Sequence, residues 1–553
     1  MDLKQAIRAY ALKNALQFGK ASEGAVISKV LGLHPEEKAN IAKLRSLITA
    51  EIQTISTLAA EQQKSELEKL APELLEKKKE EKRVLPELPN AVQGKVVTRI
   101  PPEPSKYAHV GHALSFLINA LYAEKYQGKC ILKFEDTNPE KCTKEYVDAM
   151  LEDVTGYLGI RPDKVVLVSD ELPRMYQEAE KLIKDGKAYV CLCERQSMQD
   201  LRHRGKQCAH RRHGIKRNLQ LWEEMLAGKH AVGSAVLRLA GEMAAENQVM
   251  RDPVLFRISD AEHFKHAQFR VWPLYDFENA VSDCILGVTH ILRSNEFGTM
   301  RTELQSLLKQ LLGFPDQSVT QYGRFNITGA LTKGREIREA IERGEFIGWD
   351  DPRLVTLKAL KRRGILPETF RELVQEVGMT QNETNIDFSV LAAINRRLLD
   401  KRANRYFFIA QPEKVHITAA PGRRVELRLH PEDERRGHRV LIAKQDFLLE
   451  KKDVAFEKGK LYRLMDCLNF TKEHDHLAFH SEDYELYRKD GERIMHWLPA
   501  DAAVDITVVM PDAVIKGKGE PLLAKVAPGE IVQLERFGFA RCDAPGVFWF
   551  SHR

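Results

Sequence analysis

The stretch from Arg99 to Ala113, R-I-P-P-E-P-S-K-Y-A-H-V-G-H-A, constrains the fold of this chain more than any other. Apolar Val96 and Val97 lead into it as a short strand, its prolines exclude a helix, and a helix is predicted from Ala113 to Tyr126. His109 and His112 therefore stand at a strand-to-helix turn, where backbone N–H groups and the helix dipole favour phosphate. Gly111 leaves room for a flat ring near the backbone, and the two imidazoles can donate hydrogen bonds to a phosphate.

The same residues carry a family resemblance. Pro102 to His112 resembles the first signature of the class I aminoacyl-tRNA synthetases, and the longer pattern P-P-E-P-S-x-Y-x-H-x-G-H-A resembles their glutamyl/glutaminyl branch, closest to the archaeal glutamyl type. The resemblance implies ATP with Mg²⁺, L-glutamate and tRNA-Glu as substrates, and His109 and His112 as catalytic residues at the α-phosphate. For H-x-G-H alone, a helix start with two incidental histidines is the alternative.

Length and charge set wider limits. A chain of 553 residues exceeds one hydrophobic core, so about three to five domains are expected. A net charge of +6 with a pI near 8.7 permits a nucleic-acid partner without requiring one. No apolar run approaches the roughly 18 residues of a membrane span, and Met1 to Lys20 has no signal-peptide core. We therefore expect a cytoplasmic protein with no membrane partner. We also expect a monomer, although no feature of the sequence determines the oligomeric state.

The fold class implied by the resemblance is multidomain α/β plus all-β. The predicted segments are an N-terminal helical appendage (1–92), the first half of a Rossmann-like catalytic domain (93–186), an acceptor-stem-binding insertion (187–270), the second half of the catalytic domain (271–324), a K-M-S-K-S-like loop with a helical subdomain (325–403), and an anticodon-binding β-barrel region (404–553). Within the appendage, the run 76–83 alternates in charge and is interpreted as a solvated helix end rather than a binding patch.

Two carboxylates follow the second predicted strand. The segment 128–139, G-K-C-I-L-K-F-E-D-T-N-P, predicts a buried strand with Glu135 and Asp136 beyond its C-terminal end, where open parallel sheets bind ligands. A surface turn is the alternative. Residues 165–168 predict a third strand, which gives the βαβ alternation of half a Rossmann-like domain. The segment 272–279 is predicted to return the chain to this sheet.

A cysteine and histidine cluster predicts a metal site. Cys191 and Cys193, then Cys208 and His210, supply three thiolates and an imidazole, a set that suits tetrahedral structural Zn²⁺. Chance clustering of buried cysteines is the alternative. Residues 201–217, which include the second pair of these ligands, contain seven Lys or Arg and no carboxylate, a composition typical of phosphate binding. This segment and the basic helix at 356–363 are candidate tRNA contacts, with solvated basic faces as the alternative.

The resemblance also implies a glutamate-binding set. In the family, the position of Glu135 meets the substrate ammonium, and that of Arg293 faces the substrate side chain. The forked donors of Arg293 suit a carboxylate, which favours glutamate over glutamine. Pairing of Arg293 with Glu296 is the alternative. The full implied set is Arg99, Pro101, Glu103, Glu135, Tyr275, Asn279 and Arg293.

The second class I signature is altered. The family has a mobile K-M-S-K-S-like loop whose lysines hold pyrophosphate, and this chain has A-L-T-K-G-R at 330–335. Ala330 replaces the first lysine, Lys333 keeps the family position, and Arg335 is a substitute charge. The resemblance therefore implies Lys333 as a third catalytic residue. The implied ATP-binding set is His109, Gly111, His112, Lys333 and Arg335.

From about residue 404, short alternating runs separated by Pro, Gly and Asp predict strands of an all-β region. This C-terminus separates the chain from bacterial glutamyl enzymes, which end in helices. The resemblance as a whole implies ATP-dependent activation of glutamate and its transfer to the 3′ end of tRNA-Glu. Two alternatives stay open: a glutaminyl-tRNA synthetase, which Arg293 disfavours, and a non-catalytic tRNA-binding paralogue, which the altered second signature suggests. Charging of tRNA-Gln with glutamate also stays open.

Overall fold

In the computed structural model, residues 2–19, 21–74 and 85–553 are described, and the chain divides into two separately packed units, Met1–Arg83 and Val84–Arg553. The first unit is helical, as predicted, because its apolar residues recur on one face of each helix and meet in one core. The charged run 76–83 lies outside the described residues. The helices are α1 (Leu3–Phe18), α2 (Glu23–Leu33), α3 (Ile41–Ser56) and α4 (Ala60–Leu70).

The second unit begins with the predicted βαβ alternation. Its first elements are β1 (Val97–Ile100), α5 (Val110–Lys125), β2 (Lys129–Phe134), α6 (Lys144–Glu152), β3 (Lys164–Leu167) and α7 (Leu172–Lys184). The three strands are parallel and adjacent in the order β1-β2-β3. Parallel strands bury both faces, which explains the nearly continuous apolar character of β2.

The insertion forms an antiparallel sheet in the order β4-β5-β6-β7. The segment 272–279 was predicted to return the chain to the parallel sheet, and this is wrong, since β7 is the edge strand of the insertion and pairs with β6. Three residues of an apolar strand do not reveal which sheet they join, because the pairing is a long-range contact. The elements are β4 (Ala188–Cys191), α8 (Arg195–His203), α9 (Ile215–Leu226), β5 (Val236–Leu239), β6 (Val254–Ile258) and β7 (Val271–Pro273).

The chain returns to the parallel sheet one helix later. The elements are α10 (Tyr275–Ile285), β8 (His290–Ser294), α11 (Gly298–Leu312) and β9 (Ser318–Tyr322). Strands β8 and β9 are parallel, and the Thr289 N–H donates to the Val97 carbonyl at 3.0 Å, which sets β8 beside β1. The C-terminal ends of β1, β2 and β8 therefore meet at one edge of the fold.

A mostly helical region follows: β10 (Phe325–Ile327), α12 (Gly334–Glu342), α13 (Leu357–Arg362), α14 (Pro367–Val377), β11 (Thr384–Ile386) and α15 (Phe388–Leu399). Helix α13 carries the basic residues that were candidates for tRNA contact. Its Arg363 is buried and donates to the Phe550 and Ser551 carbonyls, and Arg362 pairs with Asp543 at 2.7 Å. These two arginines hold the C-terminal β region and do not present a basic face.

The C-terminal region is all-β apart from one helix, as predicted. Two seven-stranded sheets have the orders β12-β25-β26-β27-β23-β24-β13 and β21-β18-β19-β20-β14-β17-β22, and β15 pairs with β16. No helix in the described part of the chain is both long and apolar enough to cross a bilayer. The elements are β12 (Asn404–Tyr406), β13 (Phe408–Ile409), β14 (Pro412–Thr418), β15 (Arg423–Arg428), β16 (His438–Ala443), β17 (Asp446–Glu450), β18 (Leu461–Leu464), β19 (Asn469–Glu473), β20 (His476–Ser481), α16 (Tyr484–Asp490), β21 (Gly491–Met495), β22 (Leu498–Pro499), β23 (Val504–Val509), β24 (Val514–Gly519), β25 (Ile531–Leu534), β26 (Gly538–Ala544) and β27 (Val547–His552).

Candidate active site

A cavity of about 1070 Å³ opens where β1, β2 and β8 end. This is the edge at which open parallel sheets bind their ligands, and the volume is sufficient for a nucleotide together with an amino acid. Eight of the twelve residues predicted to bind ATP or glutamate line it: Pro101, Glu103, His109, Gly111, His112, Glu135, Tyr275 and Arg293.

The two histidines form a neutral donor pair at the start of α5. Their ring centroids lie 4.0 Å apart, the Gly111 N–H donates to His109 Nδ1 at 3.1 Å, and the His109 N–H donates to His112 Nδ1 at 3.2 Å. Because each Nδ1 accepts, the proton of each neutral ring is assigned to Nε2, which remains a donor. Burial is the main cause that lowers the pKa of His109 to about 3 and that of His112 well below its usual range. Both rings are therefore uncharged at neutral pH.

Gly111 is required by packing as well as by the predicted approach of a ligand. A Cβ at this position would lie 3.0 Å from the Phe325 carbonyl oxygen and 3.0 Å from His109 Cε1. A side chain would push α5 away from β10 and displace the histidine ring. The glycine therefore lets the first turn of α5 lie directly against its neighbours.

Glu135 contributes a carboxylate to the cavity wall, whereas the two histidines contribute hydrogen-bond donors. Its N–H donates to the Pro102 carbonyl at 2.9 Å, which ties the end of β2 to the loop after β1. Lys133 Nζ lies 3.2 Å from Glu135 Oε1. Burial raises the pKa of Glu135, while the charges of Lys133 and Arg99 oppose that shift. Glu135 is thus a held carboxylate that suits a cationic group.

Arg293 enters the cavity from the end of β8. It is 4% exposed, and two acceptors on α11 orient its guanidinium: Gln305 Oε1 lies 2.8 Å from Nη1, and Thr302 Oγ1 lies 2.7 Å from Nη2. Gln305 in turn donates to Asp276 at 3.1 Å. Glu296, the alternative partner considered for Arg293, lies 3.5 Å from Arg324. The cavity therefore contains an oriented cationic fork.

Arg99 and Asn279 are not among the described residues that line the cavity. Arg99 is 1% exposed and donates through Nε to Asp283 at 3.1 Å and through Nη1 to the Leu292 carbonyl at 3.3 Å. Asn279 donates to Glu278 at 2.8 Å. The structure sets both side chains one layer beneath the wall, so their direct contact with glutamate stays a prediction.

A buried charge cluster of Arg99, Lys133, Glu135, Glu278 and Asp283 extends from the cavity wall, which Glu135 and Glu278 line, into the layer beneath it. Sequence reasoning missed three of its members. Lys133 is fully buried, and its Nζ lies 2.8 Å from Asp283, 3.2 Å from Glu135 and 3.3 Å from Glu278. Two cations face three carboxylates. Burial raises the pKa of Glu278, while the charge of Lys133 opposes that shift.

The altered second signature lies beside the cavity. Lys333 is the N-cap of α12, its side chain is 77% exposed, and it pairs with Glu336 at 2.9 Å. Arg335 is 87% exposed and pairs with Glu339 at 2.8 Å. Neither is among the described residues that line the cavity, so their contact with pyrophosphate stays a prediction. The loop itself adjoins the site, because the Thr332 carbonyl lies 3.5 Å from Lys106 Nζ.

Comparison with known proteins assigns the family. Residues 95–401 match tRNA synthetases class I (E and Q), catalytic domain, and residues 403–484 and 494–543 match the anti-codon binding domains of the same class. The chain belongs to the class I tRNA synthetases (E and Q). The glutamate–tRNA ligase of Pyrococcus furiosus is 39% identical over 98% of both chains. Those of Methanothermobacter thermautotrophicus and Korarchaeum cryptofilum are 38% identical over 98% and 37% identical over 100% of both chains.

In this synthetase the four predicted metal ligands are brought together. The ligand atoms of Cys191, Cys193, Cys208 and His210 all lie within 4.8 Å of one another. The Cys191 and Cys208 sulfurs are 3.7 Å apart, and Cys193 Sγ lies 3.3 Å from His210 Nδ1. Two thiolates bound tetrahedrally at ~2.3 Å would be about 3.8 Å apart, so the donor set fits zinc. Arg238 Nη1 lies 3.8 Å from Cys191 Sγ, a buried cation that suits thiolate charge.

The basic segment 201–217 of the synthetase divides into structural and exposed cations. Arg202 donates to the Gln248 and Arg251 carbonyls, and Arg211 pairs with buried Asp252 at 2.5 Å. These two hold the insertion together. The cations that are exposed and could reach a phosphate backbone are Arg204, Lys206, Arg212, Lys216 and Arg217.

Proposed function

We propose that this synthetase is a glutamate–tRNA ligase that forms glutamyl-adenylate from L-glutamate and Mg-ATP and then glutamylates the 3′ end of tRNA-Glu. The observation that carries this proposal is the cavity, in which the neutral donor pair His109 and His112 lies in the same wall as the guanidinium of Arg293. To join glutamate to a nucleotide, a site needs one end that binds phosphate, here called the phosphate end of the cavity, and another end that binds the carboxylate of the amino acid. The curated relatives named above support glutamate as the amino acid.

In the first step, a carboxylate oxygen of glutamate attacks the α-phosphorus, and the bond from that phosphorus to pyrophosphate breaks. His109 and His112 donate through Nε2–H to the α-phosphate oxygens, on which charge builds in the transition state. Because their pKa values are lowered, the rings neither titrate near neutral pH nor form an ion pair with the attacking carboxylate. Mg²⁺ enters with ATP and offsets phosphate charge.

The amino-acid end of the cavity determines orientation. Glu135 pairs with the substrate ammonium, Tyr275 contacts the substrate beside it, and Arg293 holds the side-chain carboxylate with two parallel hydrogen bonds. Arg99 and Asn279 act from beneath by fixing Asp283 and Glu278. Pro101 and Glu103 complete the wall. The α-carboxylate is then left to face the α-phosphate.

We propose that Lys333, with Arg335 as a second charge, meets the pyrophosphate when the loop moves toward the cavity, since both side chains are exposed beside it. In the second step the terminal ribose hydroxyl of the tRNA attacks the glutamyl carbonyl, the hydroxyl loses its proton, and AMP leaves. The exposed cations of the insertion support the acceptor stem, and the C-terminal sheets support the anticodon.

We also propose that Cys191, Cys193, Cys208 and His210 hold one structural Zn²⁺. The four donors leave no open position for water, so the ion would brace the insertion and take no part in the transfer. We further propose a cytoplasmic monomer. Both statements add to the ligase function and neither is needed for adenylate formation.

The test is aminoacylation of purified tRNA-Glu and tRNA-Gln with radiolabelled glutamate and glutamine, together with ATP–pyrophosphate exchange. We expect glutamyl-tRNA-Glu as the product and exchange that depends on glutamate and is strongly stimulated by tRNA. Glutaminyl-tRNA as the main product would identify a glutaminyl enzyme. The absence of exchange and charging under all conditions, in protein that still binds tRNA, would identify the non-catalytic paralogue.

A further inference from the structure

A lysine that forms no ion pair within 4.0 Å among the described residues lies at the phosphate end of the cavity. Lys106 is half-buried and lines the cavity with His109 and His112. In the described part of the chain its ammonium makes one hydrogen bond, a long one of 3.5 Å to the Thr332 carbonyl. A partly desolvated ammonium with so weak a contact is unfavourable in the free protein and favourable once an anion binds.

The stem of Lys106 is fitted against the altered loop. A Cβ at Gly334 would lie 3.0 Å from both Cβ and Cδ of Lys106, so a side chain at position 334 would force the lysine stem to shift by a few tenths of an ångström. The glycine at this position therefore admits the lysine stem. As a result, the ammonium lies between the histidine pair and the loop at 330–335.

The charge of Lys106 reaches the phosphate site. After burial, the charges of Lys106 and then Arg324 are the causes that lower the pKa of His109. Burial is also the largest cause that lowers the pKa of Lys106 itself; Arg324 adds to that shift, and the charges of Glu103 and Glu296 oppose it. Arg324 lines the same cavity. Lys106 and Arg324 thus bring two cations to this end of the cavity, beside the carboxylates of Glu103 and Glu296, and these cations suit a polyanion.

We propose that Lys106 is a further catalytic residue, which donates hydrogen bonds to the β- and γ-phosphate oxygens of ATP and stabilises the departing pyrophosphate. It supplies the positive charge that Ala330 cannot. No proton is transferred: the bond from the α-phosphorus to the bridging oxygen breaks, and Lys106 offsets the charge that gathers on pyrophosphate. The proposal rests on the proposed ligase function and names the residue that serves its leaving group.

The experiment compares Lys106→Met, which keeps most of the stem and removes the charge, with wild type. Glutamate-dependent ATP–pyrophosphate exchange should fall at least about tenfold, the size of one lost charge-assisted contact. The KM for ATP and for pyrophosphate should rise, with the KM for glutamate unchanged. Binding of a non-hydrolysable glutamyl-adenylate analogue, which lacks the β- and γ-phosphates, should also be unchanged.

Three further variants sharpen the test. Lys106→Arg should retain most of the exchange activity because it keeps the charge. Ala330→Lys combined with Lys106→Met should recover part of it, because the charge returns to the loop. Lys129→Met, a matched substitution at an exposed position of β2, should behave as wild type.

The results distinguish failure of the proposed Lys106 role from failure of the proposed ligase function. Wild-type exchange with an unaffected Lys106→Met variant would overturn the inference and leave the ligase function standing. If Lys106→Met weakened the binding of ATP and of the adenylate analogue equally, the inference would also be overturned, since Lys106 would then only shape the cavity. No exchange in wild type would overturn the ligase function itself.

Discussion

Replacement of Arg293 by Cys tests the choice of amino acid. The side chain is 4% exposed, and its guanidinium is oriented by Gln305 and Thr302 at 2.8 and 2.7 Å. In the proposed binding mode it donates two hydrogen bonds to the side-chain carboxylate of glutamate. Hydrogen bonds to charged groups are worth about 1.5–3 kcal/mol each, so two of them amount to roughly 3–6 kcal/mol. Water that enters the space left by the shorter cysteine side chain offsets part of this loss of binding free energy.

We therefore expect Arg293→Cys to lower kcat/KM for glutamate by at least about a hundredfold, which is roughly 2.7 kcal/mol. The gap between glutamate and glutamine should narrow, because the amide of glutamine no longer opposes a group that can only donate. Arg293→Lys keeps the charge and loses the forked pair of donors, so its kcat/KM for glutamate should lie between that of Arg293→Cys and that of wild type. ATP affinity and tRNA affinity should stay near wild type.

The assay is steady-state aminoacylation of tRNA-Glu with each amino acid under saturating ATP. Arg45→Cys, a matched substitution on an exposed side chain of the N-terminal unit, controls for the introduced thiol. Full preference for glutamate in Arg293→Cys would refute the assignment of the side-chain contact. Arg99 would then be the next candidate.

Three other changes have expected outcomes. Cys193→Ala should remove about one equivalent of zinc per chain and destabilise the insertion while adenylate formation persists, and metal analysis that finds no zinc in unchelated wild type would leave buried thiols instead. Asp283→Asn removes the carboxylate 3.1 Å from Arg99 and 2.8 Å from Lys133, so we expect the free energy of unfolding to fall by ~3–5 kcal/mol. Amide hydrogen exchange in β1 and β2 at the wild-type rate would contradict this expectation. Burial raises the pKa of Asp153 from 3.8 to about 7, so the ionisation of this carboxyl lowers the free energy of unfolding increasingly as pH rises between those values. Asp153→Asn should therefore raise the thermal midpoint more at pH 8 than at pH 5. Equal shifts at the two pH values would argue against burial as the cause.

Contiguous motifs could be predicted from the sequence because the residues that form them are neighbours along the chain. The strand and helix around His109 lie within three residues of prediction, and the helix begins at Val110 instead of Ala113. The difference has a physical cause: His109 and His112 cap the helix reciprocally with their own Nδ1 atoms. Histidine is not among the residues usually expected at an N-cap, so the sequence gives weak warning.

The members of the buried charge cluster were harder to find, because charged residues are normally taken to be exposed. Lys133 lies within the apolar run of β2, between Leu132 and Phe134, which is the one signal the sequence offers. Glu278 and Asp283 lie on α10 and meet Lys133 only through tertiary packing. Their pairing depends on contacts about 145 residues apart in sequence, which single-sequence reasoning does not reach.

The charge pattern of the cavity explains how one substrate carboxylate is made to react and the other is not. In the proposed binding mode, Glu135 meets the ammonium and Arg293 meets the side-chain carboxylate, each with a full opposite charge. The α-carboxylate instead faces the α-phosphate, which His109 and His112 bind, and the lowered pKa values of these two residues keep them neutral. A carboxylate that is not ion-paired keeps its nucleophilicity, whereas one bound by a guanidinium is stabilised in place. The buried charge cluster beneath Glu135 fixes this order, because Lys133 holds that carboxylate in position from below.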